Sequence, residues 1–224
     1  MKLKHFAAAS LCVAAGAFAA PAMAAVKVYD ITPVAANTLT NILTNLDIHQ
    51  FDTTLGTLTS ITIEYGSSVT GKVALSNAGP KNKNTTVGLT TTMTLTGPGS
   101  LSLGSDSKSL FSGVATTAAA GSSNVIKASG SSHLSSAYSV GAGNFSLFEG
   151  TGNVVASLAI NAVGTSVGQT GIVSKFTTLA DGIGKVTYTY TAAPVPEPET
   201  YGMLLLGLGV VAFAAKRKSR SAQA

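Results

Sequence analysis

The chain has 224 residues, 45% of them hydrophobic and only 10% charged, with no Trp and a net charge of +5. That charge belongs to the ends: Lys2, Lys4, Lys216, Arg217, Lys218 and Arg220 are six of the 14 basic residues, whereas eight lysines meet seven acids between Ala25 and Ala193. A near-neutral middle without arginine carries no electrostatic footprint for nucleic acid, and with the one cysteine at Cys12 it offers no disulfide, thiolate metal site or cysteine nucleophile.

The first element is short and ordered. Lys2 and Lys4 make a basic start, Phe6 to Ala20 is an uncharged apolar run, and Pro21-Ala22-Met23-Ala24 follows. Small side chains at Ala22 and Ala24 fill the −3 and −1 subsites of signal peptidase. This order predicts a secretory signal peptide over residues 1–24, removed so that the mature chain starts at Ala25. The alternative is a buried N-terminal helix.

Strand signals then recur at short intervals. Val26–Ile31 and Leu46–Phe51 are weak candidates. Ile61, Ile63 and Tyr65 alternate with Thr62 and Glu64, and Val69–Leu75 is a further candidate beyond the turn-like Gly66-Ser67-Ser68. The strongest signal is Thr86–Thr96, where Val87, Leu89, Met93 and Leu95 share one parity and Thr86, Thr90, Thr92, Thr94 and Thr96 the other. Period 2 sends the first set inward and the threonines outward. Val114 to Gly130 is small and polar and reads as a loop excursion. Val154–Ala162 and Ile172–Phe176 are weaker candidates. In the last segment, Val186, Tyr188 and Tyr190 alternate with Thr187, Thr189 and Thr191. Asn77-Ala78-Gly79-Pro80, Gly97-Pro98-Gly99 and Asp181-Gly182 read as turns between strands. Short strands with such breaks and no capped helical period predict an all-β domain over residues 25–193, an antiparallel β-sandwich rather than a barrel.

Phe51-Asp52-Thr53-Thr54-Leu55-Gly56-Thr57-Leu58-Thr59-Ser60-Ile61, with the closing Lys185-Val186-Thr187-Tyr188-Thr189-Tyr190-Thr191, resembles the choice-of-anchor E domain family over roughly residues 28–192. That family is defined by export and anchoring, so the resemblance implies no enzymatic activity. On physical grounds Phe51 and Leu55 read as core anchors, Gly56 permits a tight turn, and Asp52 caps it. The alternative role for Asp52 is a catalytic or calcium-ligating carboxylate.

The tail reads Pro194-Val195-Pro196-Glu197-Pro198-Glu199-Thr200, an apolar run from Tyr201 to Ala215 broken by Gly202, Gly207 and Gly209, then Lys216-Arg217-Lys218-Ser219-Arg220. Alternate prolines hold the chain extended. At ~1.5 Å per residue the run spans only ~22 Å of a ~30 Å hydrocarbon core, so a spanning helix needs its flanking residues. The basic cluster predicts a cytoplasmic C-terminus. Pro196-Glu197-Pro198, the glycine-bearing helix and the basic cluster Lys216, Arg217 and Lys218 resemble, over residues 194–220, the PEP-CTERM sorting signal. The resemblance implies recognition by an exosortase, a membrane-embedded thiol transpeptidase-like enzyme, in bacteria that make exopolysaccharide. A single short transmembrane sorting helix, held transiently in the inner membrane through Tyr201 to Ala215, is the corresponding expectation. A plain membrane anchor is the alternative.

Several local patterns suggest chemistry that their contexts do not support. Gly66 to Lys72 fits G-x-x-x-x-G-K, but Val73 replaces the Ser/Thr of a phosphate loop and strand follows, so a hairpin is expected. Gly164-Thr165-Ser166-Val167-Gly168 fits G-x-S-x-G, yet no histidine lies beyond His133. Ser105-Asp106-Ser107-Lys108 fits S-x-x-K without its partner motifs. His49 and His133 lack ligands at zinc spacing, and His49 beside Asp47 reads as a hydrogen-bonded surface pair. Convergence of Asp47, Asp52, Glu64 and Asp181 in space remains open at this level. The expectation is a non-enzymatic surface or exopolysaccharide-matrix protein without cofactor or metal. The alternatives are a carbohydrate-binding or adhesive module, using exposed tyrosines such as Tyr138, and a hydrolase.

Overall fold

Residues 24–193 and 198–221 are described by a computed structural model, with side chains of the second segment described over 201–213. Eight strands fill the first segment: β1 (Ala24–Leu39), β2 (Ile42–His49), β3 (Gly56–Asn77), β4 (Lys83–Thr96), β5 (Ser102–Ala118), β6 (Ser122–Ser139), β7 (Asn153–Gly168) and β8 (Val173–Ala192). All ladders are antiparallel, in two sheets of order β1-β8-β3-β6 and β2-β7-β4-β5. Every link except β4–β5 crosses from one sheet to the other. This is the strand order of a jelly roll, an antiparallel sandwich of the expected class.

The core lies between the sheets. Ile61, Ile63, Tyr65, Val186 and Tyr188 come from one, and Leu46, Ile48, Leu89, Met93, Leu95, Leu158 and Ile160 from the other, all buried. The parity inferred for β4 holds, with Thr91 as an added inward residue whose hydroxyl donates to the Lys108 carbonyl at 3.4 Å. Val73, Leu75, Val87 and Ala118 make a smaller satellite cluster.

Three expectations are corrected. Gly66-Ser67-Ser68 and Asp181-Gly182 are not turns, so no hairpin forms at Gly66 to Lys72. These stretches face each other inside β3 and β8, where Gly66 pairs with Ile183, the buried Ser67 hydroxyl donates to the Asp181 carbonyl, and the Ser68 N–H donates to the Asp181 carboxylate at 2.8 Å. Val114 to Gly130 is not a loop. Only residues 119–121 separate β5 from β6 there, because ladder pairing with β4 and β3 orders a sequence whose side chains lack alternation.

The second unit contains α1 (Pro198–Ser221), in which Pro198 takes the first helical position, where its missing N–H costs nothing. Pro198 is thus helical rather than extended, while Pro196 and Glu197 lie outside the described residues. No helix among the described residues is long and apolar enough to cross a membrane, which corrects the expected transmembrane helix. The physical reason is dilution: three glycines lie within the run, and basic residues begin at Lys216.

Candidate functional site

The motif around Phe51 builds the place where the sandwich ends. Phe51 is fully buried, and its N–H donates to Phe148 at 2.8 Å. Its ring packs against Tyr188 and Tyr190 at centroid distances of 5.6 and 5.0 Å. The 3-10 turn Thr53–Leu55 follows, and Asp52 caps it as expected, accepting from the Thr54 N–H at 2.9 Å and the Thr54 hydroxyl at 2.7 Å. These bonds, the hydroxyl's first, hold the Asp52 carboxyl below its ordinary range. Leu55 is 38% exposed rather than a core anchor, since the tight turn rolls it to the surface.

Gly56 comes next at φ 149°, where a Cβ would sit 2.9 Å from both Ala192 Cα and Ala193 N. Only glycine lets β3 start this close to the end of β8. Gly56 pairs with Ala192, the Ala193 N–H donates to the Leu55 carbonyl at 3.0 Å, and Thr191 pairs with Ala24 on the other side. The start of the described sandwich and its chain exit therefore lie on neighbouring strands.

Of the signal peptidase residues, Ala24 and Ala25 open edge strand β1, while Ala22 and the rest of residues 1–23 lie outside the described residues. Pro196 and Glu197 also lie outside them. Lys216, Arg217 and Lys218 fall within α1. Along residues 201–213 the helix is apolar on every side, with Leu204, Leu205, Leu206, Leu208, Val210, Val211 and Phe213 all exposed. A helix apolar all round requires an apolar environment or partner.

The remaining candidates disperse. Glu64 forms an ion pair with Lys185 at 2.8 Å, whose hydrogen bond raises the lysine above its ordinary value. Asp181 holds Ser68, Asp52 caps its turn, and Asp47 is exposed on β2. No group of three metal-ligating side chains occurs among the described residues. His49 does not bond Asp47: it stacks on Tyr29 at 4.0 Å and its Nδ1 lies 2.7 Å from the Gln50 carbonyl. Ser166 sits in extended β7, within 2.8 Å of the Ser174 hydroxyl and 3.1 Å of Thr85, not on a strand-to-helix elbow. Lys108 lies 3.5 Å from Asp106, inside its own S-x-x-K segment on β5.

Tyr138, the tyrosine expected as a sugar platform, is half-buried against the core. A shallow groove of about 650 Å³ crosses the outer face of β8 and β3, beside Asp30, Glu64, Gly66, His133, Ile183 and Lys185. Sequence reasoning missed this groove, which cross-strand neighbours create, and missed the bond from Ala193 to Leu55.

Residues 194–218 match the family model described as the PEP-CTERM protein-sorting motif. That motif marks a protein for export and exosortase processing. No curated protein matches the chain. Among solved structures it is similar to a particle of infectious bursal disease virus, at 10% identity over 82% of this chain and 46% of that one, with a TM-score of 0.20. It is also similar to Desmodium yellow mottle tymovirus, at 10% identity over 88% of this chain and 100% of that one, with a TM-score of 0.20. The chain spans about half the length of the bursal disease virus chain. TM-scores this low fix neither fold nor function.

Proposed function

We propose that the chain is an exported bacterial surface or exopolysaccharide-matrix protein. An exosortase sorts it and cuts it close to Pro196-Glu197-Pro198, and its sandwich has a structural, non-enzymatic role. The observation that carries this reading is the position of the sorting motif, which starts at residue 194, directly after the last described residue of the sandwich, Ala193, whose N–H bonds Leu55. The exposed apolar helix is the part that the sorting machinery takes up at the membrane. The likeness of Phe51 to Ile61 and Lys185 to Thr191 to choice-of-anchor E domains fits the same reading, as does a signal peptide over residues 1–24 cut by signal peptidase. Ser166, bonded to neighbouring hydroxyls in an extended strand, supports the absence of hydrolase chemistry.

The test is the mature protein from its native host. Mass spectrometry of the surface fraction should find no peptides from residues 216–220. Replacing Pro196, Glu197 and Pro198 with alanine should leave uncleaved precursor in the inner-membrane fraction. If that variant reaches the surface normally, the segment is only a spacer.

A further inference from the structure

A peptidase takes its substrate as an extended chain, several residues at a time. Here four residues, 194–197, separate Ala193 from the first residue of α1. The five Cα–Cα steps from Ala193 to Pro198, at ~3.3–3.6 Å each, reach at most ~18 Å. A cleft that closes on the Pro-Glu-Pro element and the residues before it therefore needs backbone that the sandwich still holds.

That backbone is held firmly. Ala193 donates to Leu55, Ala192 pairs with Gly56, and Thr191 lies between Ala24 and Thr57 in the sheet. The turn that holds it is fixed in turn by the Asp52 cap and by buried Phe51. Gly56 admits no side chain, so the end of β8 lies directly on the start of β3.

We propose that the turn from Asp52 to Gly56 is a positioning clamp that sets the rate of tail processing, with Leu55 and Gly56 holding back the chain that the enzyme must draw in. The proposal rests on the sorting reading above. Processing then follows fraying of residues 192–193 from Leu55 and Gly56, and anything that frees them speeds it. The known chemistry of the cut is untouched; the clamp governs only how much extended chain is on offer.

The experiment is a pulse–chase in the native host, following conversion of precursor to processed chain in four forms: wild type, Ala193→Pro, a five-residue Gly/Ser insertion between Ala193 and Pro194, and the triple alanine variant of Pro196, Glu197 and Pro198. Ala193→Pro removes the one N–H that bonds Leu55 and touches no core residue. Loss of a backbone hydrogen bond of ~1 kcal/mol shifts an opening equilibrium about five-fold, so processing should quicken about five-fold. The insertion should quicken it at least as much, with the sandwich's melting temperature unchanged because it keeps the Ala193–Leu55 bond. The proposal is overturned if either variant is processed at the wild-type rate or more slowly. If the triple alanine variant is processed as fast as wild type, the sorting reading itself falls, and the clamp proposal with it.

Discussion

Leu89 and Thr90 are chain neighbours that β4 sends to opposite faces. Leu89 is 2% exposed between the sheets, while Thr90 faces solvent opposite Ser109. Leu89→Asp puts a carboxylate into the core at a cost of several kcal/mol, and Thr90→Asp should cost about 1 kcal/mol or less. Chemical denaturation of both variants checks this, and equal losses would contradict the facing of the strand. The buried tyrosines make a second residue-scale case. Burial pushes the Tyr65 phenol up to about 12, and Tyr188 is raised also by burial. The Tyr188 hydroxyl donates to the His49 carbonyl at 2.6 Å, whereas the Tyr65 hydroxyl has no hydrogen-bond partner among the described residues. Below pH 10 both phenols are neutral folded or unfolded, and their contribution to stability is complete. As pH rises from about 10 toward 12 the unfolded chain loses protons that the folded one keeps, so each tyrosine removes ~1.4 kcal/mol per pH unit. Denaturant midpoints should hold below pH 10 and fall above it. Tyr65→Phe should reduce that alkaline slope while leaving neutral-pH stability equal or higher, because it deletes an unpaired buried hydroxyl. An unchanged slope in Tyr65→Phe would contradict the assignment.

At the scale of elements, legibility tracked the contrast between faces. The first part of β3, most of β4 from Thr86 onward and the end of β8 alternate in sequence because one face meets the core and the other water. The edge strands β5 and β6 carry no such contrast: most of their side chains are small and partly exposed, so ladder bonds define them and residue choice hardly registers. The same holds for Gly66 to Ser68 and Asp181-Gly182. Each looks like a turn alone, and only their pairing across β3 and β8 shows them to be strand. Gly182 and Gly184 are small there for a different reason, since side chains would collide with the Tyr65 ring. The two β5 and β6 edges also protect each other: the Asp106 carboxylate accepts from the Ser135 N–H at 3.0 Å, and the Ser136 hydroxyl donates to the Leu103 carbonyl at 3.1 Å. That bond from Ser135, first among its partners, holds Asp106 below the ordinary carboxylate range. Such cross-sheet ties blunt open strand edges, and nothing in the local sequence announces them. The tail was legible for the opposite reason. Its signal is a linear order of residue types along the chain, whereas the bond between residues 193 and 55 depends on contacts far apart in sequence.

The molecule comprises two units, residues 24–193 and a unit that contains α1, and the first carries everything a fold needs. Both sheets and both apolar clusters lie within it, and its last tie among the described residues is the bond from Ala193 to Leu55. The apolar side chains described along residues 201–213 are exposed. A domain of about 170 residues buries nearly 70% of its unfolded surface, enough to fold alone. Residues 25–193 expressed without either end should therefore give a β-type circular dichroism spectrum and a single cooperative melt, as a self-contained domain of this kind does. The chain that keeps residues 194–224 should melt at the same temperature when held in detergent, and should self-associate without it, because its exposed apolar helix seeks cover. A helix-dominated spectrum, the absence of a cooperative transition in residues 25–193, or a melting temperature that rises when the tail is present would each show that the tail is part of the fold. In that case the sorting segment would be a structural element of the domain and could not be removed after export without loss of stability.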